Sequence, residues 1–128
     1  MDLIINSTFE TPAVRFIESN GDFQIKGRAI PNKDNPFWKN VHSWVSDRIT
    51  KINTPVQLTI ELDYVNAHSV SQLMTLISNL NNNIKSRELS FSVNWISEQD
   101  ETNEIYLIGQ DISTTTSSLF CFCAHSEV

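Results

Sequence analysis

The segment Val56-Gln57-Leu58-Thr59-Ile60-Glu61-Leu62-Asp63-Tyr64 alternates apolar and polar residues without a break. Successive side chains of a strand point to opposite faces, so Val56, Leu58, Ile60, Leu62 and Tyr64 share one face and Gln57, Thr59, Glu61 and Asp63 the other. Such a strand is buried on one side only. Leu89, Phe91, Val93 and Trp95 repeat the pattern against Ser90, Ser92 and Asn94. Between them, Val70, Leu73, Met74, Ile77 and Leu80 fall at helical spacing, starting near His68 or Ser69; the run Asn81-Asn82-Asn83 is a poor continuation of that helix. Two strands flanking a helix are expected to be parallel, joined by a right-handed crossover. A sheet covered on both faces would read as continuous apolar runs. The expected architecture is therefore a two-layer α/β domain, a mixed β-sheet with its helices mainly on one face.

The rest of the chain fits around that centre. Val14–Ile17 and Phe23–Lys26 are short β-prone runs separated by Ser19-Asn20-Gly21-Asp22, and Asn-Gly is a strong hairpin signal. Gly27 is expected to break the second of these strands. Phe37, Val41, Trp44, Val45, Ile49 and Ile52 mark an amphipathic helix, with Asn35 as its cap and Pro36 at its first position; Asn53-Thr54-Pro55 ends it. Ile105, Leu107, Ile108 and Ile112 predict a short third helix weakened by Gly109. Ser113 to Ser118 reads as a loop, and Leu119–Cys123 as a last edge strand.

At 128 residues the chain is expected to be one domain over 1–128. Hydrophobic residues make up 40% and charged residues 19%, ordinary values for an ordered globular protein. The formal charge is 9 − 15 = −6, with the acids scattered. That argues against nucleic acid as the main partner, because phosphate binding needs a basic surface. Met1–Ile5 is too short and too acidic for a signal peptide, and no run approaches the roughly 20 apolar residues of a membrane span. The expectation is a cytoplasmic protein that does not insert into membranes. Cys121 and Cys123 are one residue apart and can face the same way on a strand. They read either as a redox or metal pair, with His125 as a third ligand, or as small apolar residues on the final strand. The second reading carries more weight, and no metal or cofactor is expected.

A search for catalytic constellations finds little. The three glycines form no phosphate-cradling loop, and there is no Gly-x-Ser-x-Gly elbow. His42 lies on the first helix with no spacing that supplies a nucleophile and an orienting acid. No catalytic residue is assigned. Asp63-Tyr64-Val65-Asn66-Ala67-His68-Ser69 is more informative, since it runs from a strand end into a helix start. Strand C-termini of α/β folds are where ligands and partners are met, and a helix N-terminus stabilises negative charge. A phosphorylated hydroxyl there would place about two negative charges on an exposed surface. Ordinary capping by Asn66 or Ser69 explains the same residues, and on composition alone it is the stronger reading.

Several stretches together resemble the SiaC family of bacterial regulatory phosphoproteins. They are Thr11-Pro12-Ala13-Val14 with Phe23 through Gly27 to Pro31; Phe37 through Trp44 to Ile49; Leu62-Asp63-Tyr64-Val65-Asn66, similar to the family's Leu-x-Tyr-x-Asn-Thr-Ser-Ser; and Val93-Asn94-Trp95 with the acidic stretch after it. The resemblance covers about residues 11–113. It implies a STAS-like fold and a regulator without enzymatic activity. It further implies phosphorylation by a cognate protein kinase, dephosphorylation by a PP2C-type phosphatase, and binding and activation of a membrane diguanylate cyclase by the unphosphorylated form, raising cyclic di-GMP and promoting biofilm. The docking residues would be Asp63, Tyr64, Asn66, Ala67, His68 and Ser69, and the free chain is expected to be a monomer. The sequence departs from the family at the position of the phosphorylated threonine, which is Ala67, followed by His68 instead of serine. Either Ser69 or Ser71 takes the phosphate, or the chain is held in the unphosphorylated state, or a threonine has been replaced deliberately. The rival functions are an anti-sigma-factor antagonist, a small ligand-binding module using Glu61, Asp63, Ser92 and Asn94 on the polar sheet face, and a scaffold that does not switch.

Overall fold

The computed structural model describes residues 1–124; His125 lies outside the described residues. Six strands form one sheet in the order of the chain: β1 (Leu3–Ile5), β2 (Ala13–Ile17), β3 (Asp22–Ala29), β4 (Val56–Val65), β5 (Phe91–Ile96) and β6 (Phe120–Cys123). The first three are antiparallel neighbours, and β3 to β6 run parallel. Helix α1 (Phe37–Arg48), with a 3-10 turn at Ile49–Lys51, connects β3 to β4; α2 (Ala67–Ser86) connects β4 to β5; α3 (Glu104–Thr116) connects β5 to β6. The sheet is mixed, and β1 and β6 extend it beyond residues 11–113 on both sides.

Alternation along the strands decides the layering. One set of cross-strand neighbours runs Phe16, Phe23, Leu58, Val93, Phe120, and the next runs Val14, Ile25, Ile60, Trp95, Phe122. All but the two β6 phenylalanines are buried. On this face Trp44 of α1 meets Phe16 and Phe23 edge-on, each at 5.7 Å between ring centroids. Leu73, Leu76, Ile77, Leu80 and Ile84 of α2 join the same core, and Trp95 donates its indole N–H to the Ile105 carbonyl of α3 at 3.0 Å. The opposite face carries Arg15, Gln24, Thr59, Asn94 and Cys121 in one row and Lys26, Glu61, Ile96 and Cys123 in the next. These residues are exposed or half-buried, as the polar alternation predicts. Among the described residues, no helix is long and apolar enough to cross a membrane.

Besides β1, which the sequence did not announce, four details differ from the sequence reading. Gly27 does not end its strand. It sits at a bulge, with φ +129°, and β3 continues to Ala29. Asn35 sits one residue further out than expected: its side-chain oxygen accepts from the Phe37 N–H at 2.9 Å, and Pro36 holds the cap position. The three asparagines do not end α2, because Ile84 continues the apolar stripe and is fully buried; packing there outweighs weak propensity. Arg87 then reaches the Ile49 and Ile52 carbonyls beyond the end of α1, at 2.6 and 2.5 Å. Finally, the Ser/Thr tract is not a loop to Ser118. Buried Ile112 anchors α3 as far as Thr116, whose hydroxyl bonds back to the Ile112 carbonyl at 2.7 Å, and Ser117 closes the helix at φ +52°.

A bidentate ion pair fastens the end of α1 to the start of the hairpin turn. Arg48 donates from Nε and Nη2 to the two Glu18 oxygens at 2.7 and 2.9 Å. The hydrogen bond from Arg48, with a second from the terminal amine, lowers the Glu18 pKa to about 2. A carboxylate whose folded value is depressed adds stability above its ordinary range, and that stability fades as pH falls toward the folded value. The stability gap between wild type and Glu18→Gln, read from urea midpoints, is therefore expected to hold constant above the ordinary value of 4.5 and to shrink steadily toward about 2. A gap independent of pH would show that the pair contributes nothing.

Candidate functional site

Only Asn66 separates the end of β4 from the start of α2. Its side-chain oxygen accepts from the Ser69 N–H at 2.9 Å, capping the helix, and its amide donates to the Pro31 carbonyl at 2.8 Å. One asparagine thus caps α2 and ties it to the loop after β3. Ser69 is fully buried, and its hydroxyl accepts from the Trp38 indole N–H of α1 at 3.0 Å. His42, one turn further along α1, shares a hydrogen bond with Gln72 of α2 at 2.7 Å. The first two turns of both helices are therefore joined by polar bonds across their interface. Around this joint Asp63, Ala67 and Ser71 are exposed, Asn66 and His68 are half-buried, and Tyr64 is 57% exposed.

The bulge at Gly27 sets the geometry next door. Gly27 pairs with Leu62, but Arg28 pairs with Tyr64, skipping Asp63. Arg28 is brought beside the tyrosine, its guanidinium carbon 4.9 Å from the Tyr64 ring centre and 4.3 Å from that of Phe9. A cation over two aromatic faces is held in place by the ring quadrupoles. Next to it opens a cleft of 590 Å³ lined by Arg28, Asp63, Tyr64, Ser97, Glu98 and Asn103. Asn103 also caps α3 by accepting from the Tyr106 N–H at 3.0 Å. The loop from Ser97 to Asn103 adds more acid. Within it, bonds from the Thr102 N–H and hydroxyl hold the Asp100 carboxyl below its ordinary range.

The structure thus brings Asp63, Tyr64, Asn66, Ala67 and His68 to one end of the sheet, and turns Ser69 away from solvent into the contact with Trp38. Buried Ser69 offers neither a docking contact nor an accessible hydroxyl in this conformation. Glu61, Ser92 and Asn94 stand on the open sheet face outside the cleft, where Glu61 lies 3.7 Å from Lys26. The sequence reading missed Phe9, Arg28, Trp38, Ser97, Glu98 and Asn103. The position of Ser69, four residues before Leu73 on the apolar stripe, was a readable sign of its burial. Among the described residues, no group of three or more His, Cys, Asp or Glu side chains is placed to hold a metal ion.

An exposed aromatic and acidic rim, built on a strand end and a helix cap, stands at one end of a two-layer α/β domain. The sequence model of the SiaC family of regulatory phosphoproteins matches residues 5–124, and the chain belongs to that family. The fold is also that of solved structures of SiaC from Pseudomonas aeruginosa. Apo-SiaC superposes with a TM-score of 0.83 at 21% identity, covering 97% of this chain and 99% of that one. The SiaC chain described as the activator of diguanylate cyclase SiaD, in complex with it, superposes with a TM-score of 0.84 at 22% identity, covering 97% of this chain and 100% of that one. Comparison with curated proteins finds no match.

Proposed function

We propose that this protein is a non-enzymatic cytoplasmic regulator, a single STAS-like domain that binds and activates a diguanylate cyclase and so raises cyclic di-GMP and favours biofilm. The observation that carries this reading is the exposed rim of Asp63, Tyr64 and Ala67 at the cap of α2, within a family of regulatory phosphoproteins. Family membership and the likeness to a cyclase-bound SiaC support the partner. The rim would meet the cyclase, with Tyr64 as its aromatic anchor, since hot spots are enriched in tyrosine.

The switch in this reading is electrostatic. A phosphate at position 67 would be tolerated by the free N–H groups of α2. It would also add about two negative charges beside Asp63, and a complementary partner surface would then be repelled. Ala67 has no hydroxyl and Ser69 is buried, so of the candidate hydroxyls only Ser71 is exposed. In this reading the chain is the docking-competent form: a cognate kinase and a PP2C-type phosphatase have no purchase at position 67, and phosphate gained by wild type at Ser71 would overturn that.

The test measures cyclase binding and cyclic di-GMP output with and without kinase and ATP. Wild type is expected to bind and activate regardless of the kinase, and Ala67→Thr to lose activation when phosphorylated. Tyr64→Ala is expected to weaken binding by about 30-fold, the mark of a hot spot near 2 kcal/mol. Unchanged binding by Tyr64→Ala would remove this surface from the reading. Recovery of a sigma-regulating kinase and no cyclase from a pull-down would favour the anti-sigma-antagonist role instead.

A further inference from the structure

Cys121 and Cys123 occupy alternate positions of β6, the outer strand of the sheet, which pairs only with β5 among the described residues. Alternation places both thiols on the open face, beside Asn94 and Ile96 of β5. Their sulfurs are 3.6 Å apart, and no disulfide joins them. We propose that these two thiols are a reversible dithiol–disulfide site, closed by exchange with a small-molecule disulfide and reopened by small thiols.

The two cysteines differ in a way that divides the work. Cys121 is exposed and Cys123 is half-buried. Burial and the neighbouring Cys121 thiol push the Cys123 thiol up. Thiolates, not thiols, are the nucleophiles in exchange. Cys121 therefore attacks first, forming a mixed disulfide with one half of the oxidant and releasing the other half as a thiolate. Cys123, losing its proton to water, then attacks the Cys121 sulfur and expels the second half. Two protein thiols are oxidised and one disulfide is reduced to two thiols.

Closure demands movement that the edge position permits. Alternate residues of an extended strand lie about 6.6 Å apart at Cα, near the top of the roughly 4.4–6.8 Å that a disulfide spans. The ring therefore puckers β6, which among the described residues has no strand partner on its outer side to resist. Two bonds link that strand to the loop beside the cleft: the Ser97 N–H donates to the Cys123 carbonyl at 3.0 Å, and the Gln99 amide to the Phe122 carbonyl at 2.5 Å. Puckering shifts both acceptors, so the redox state is felt at Ser97 and Glu98.

The native protein, incubated with oxidised glutathione and read by intact mass, is expected to become lighter by two hydrogens, with only a transient glutathione adduct. Cys123→Ser is expected to keep a single adduct at Cys121, decaying at least about tenfold more slowly than that of wild type, because resolution by a neighbouring group is intramolecular. Added dithiothreitol restores the starting mass of every form. A stable adduct on wild type, a disulfide-linked dimer, or no reaction at either thiol would each overturn the proposal. The experiment needs no cyclase or kinase, so its result is independent of the proposed function.

Discussion

Trp95→Ala is expected to lower stability by about 3–5 kcal/mol, the range for removing a fully buried large aromatic. The indole is 1% exposed on β5, the strand next to edge strand β6, and is stacked 6.0 Å from Phe120. Gly109 of α3 lies so close that a Cβ there would fall 2.5 Å from the indole nitrogen. The tryptophan thus sets the distance at which α3 rides on β5, and its N–H secures the first turn of that helix. Losing it leaves a cavity under α3 and loosens the Ser97–Asn103 wall of the cleft. Urea unfolding should show the midpoint falling with little change in slope. Partner binding should weaken even where the variant remains folded. A loss below about 1 kcal/mol would mean that α3 collapses onto the sheet without the indole.

Gly21→Val should cost about 3 kcal/mol or more, combining a side chain forced to positive φ with overlap against backbone. Gly21 closes the β2–β3 hairpin at φ +71°, and a Cβ there would collide with the Pro55 carbonyl oxygen. Its own carbonyl accepts from the Gln57 N–H at 2.9 Å, so the turn also anchors the start of β4. Gly27→Ala is the control. Gly27 has φ +129°, yet a Cβ there meets nothing nearer than Pro12 Cα at 3.5 Å. The control should show strain alone, about 1–3 kcal/mol. Equal losses at the two positions, measured as urea midpoints, would show that the collision at Pro55 relaxes freely.

Apart from the three-residue β1, the strands and the hairpin were legible because each answers to a short-range rule. Alternation gave β4 and β5 their faces, and Asn20-Gly21 gave the turn. What was misread came from packing between elements. Ile84 and Ile112 hold helices through polar runs that local propensity would end, and the Gly27 bulge keeps β3 in the sheet with Arg28 displaced onto Tyr64. The candidate site followed the same division. The stretch from Asp63 to His68 is contiguous and was visible from the chain. Phe9, Arg28, Trp38, Ser97, Glu98 and Asn103 come from four other segments, and only the bulge, the helix interface and the α3 cap bring them together. The capping explanation for Asn66 and the docking explanation for its neighbours turn out to be compatible, since the bond that caps α2 also fixes where the exposed rim stands.

The strand order of the sheet is the order of the sequence, from β1 at one edge to β6 at the other. Among the described residues no strand inserts between two earlier ones, so each can add to an edge already made as the chain leaves the ribosome. Domains emerge from their N-terminal end during synthesis, and pairing between sequence neighbours keeps the loops to be closed short. Of the crossovers, each needs only the helix just made to lie down on the sheet before the next strand arrives. The exposed rim takes shape in the same sequence: Arg28 waits on β3, Tyr64 joins it with β4, and the acidic wall before α3 comes last.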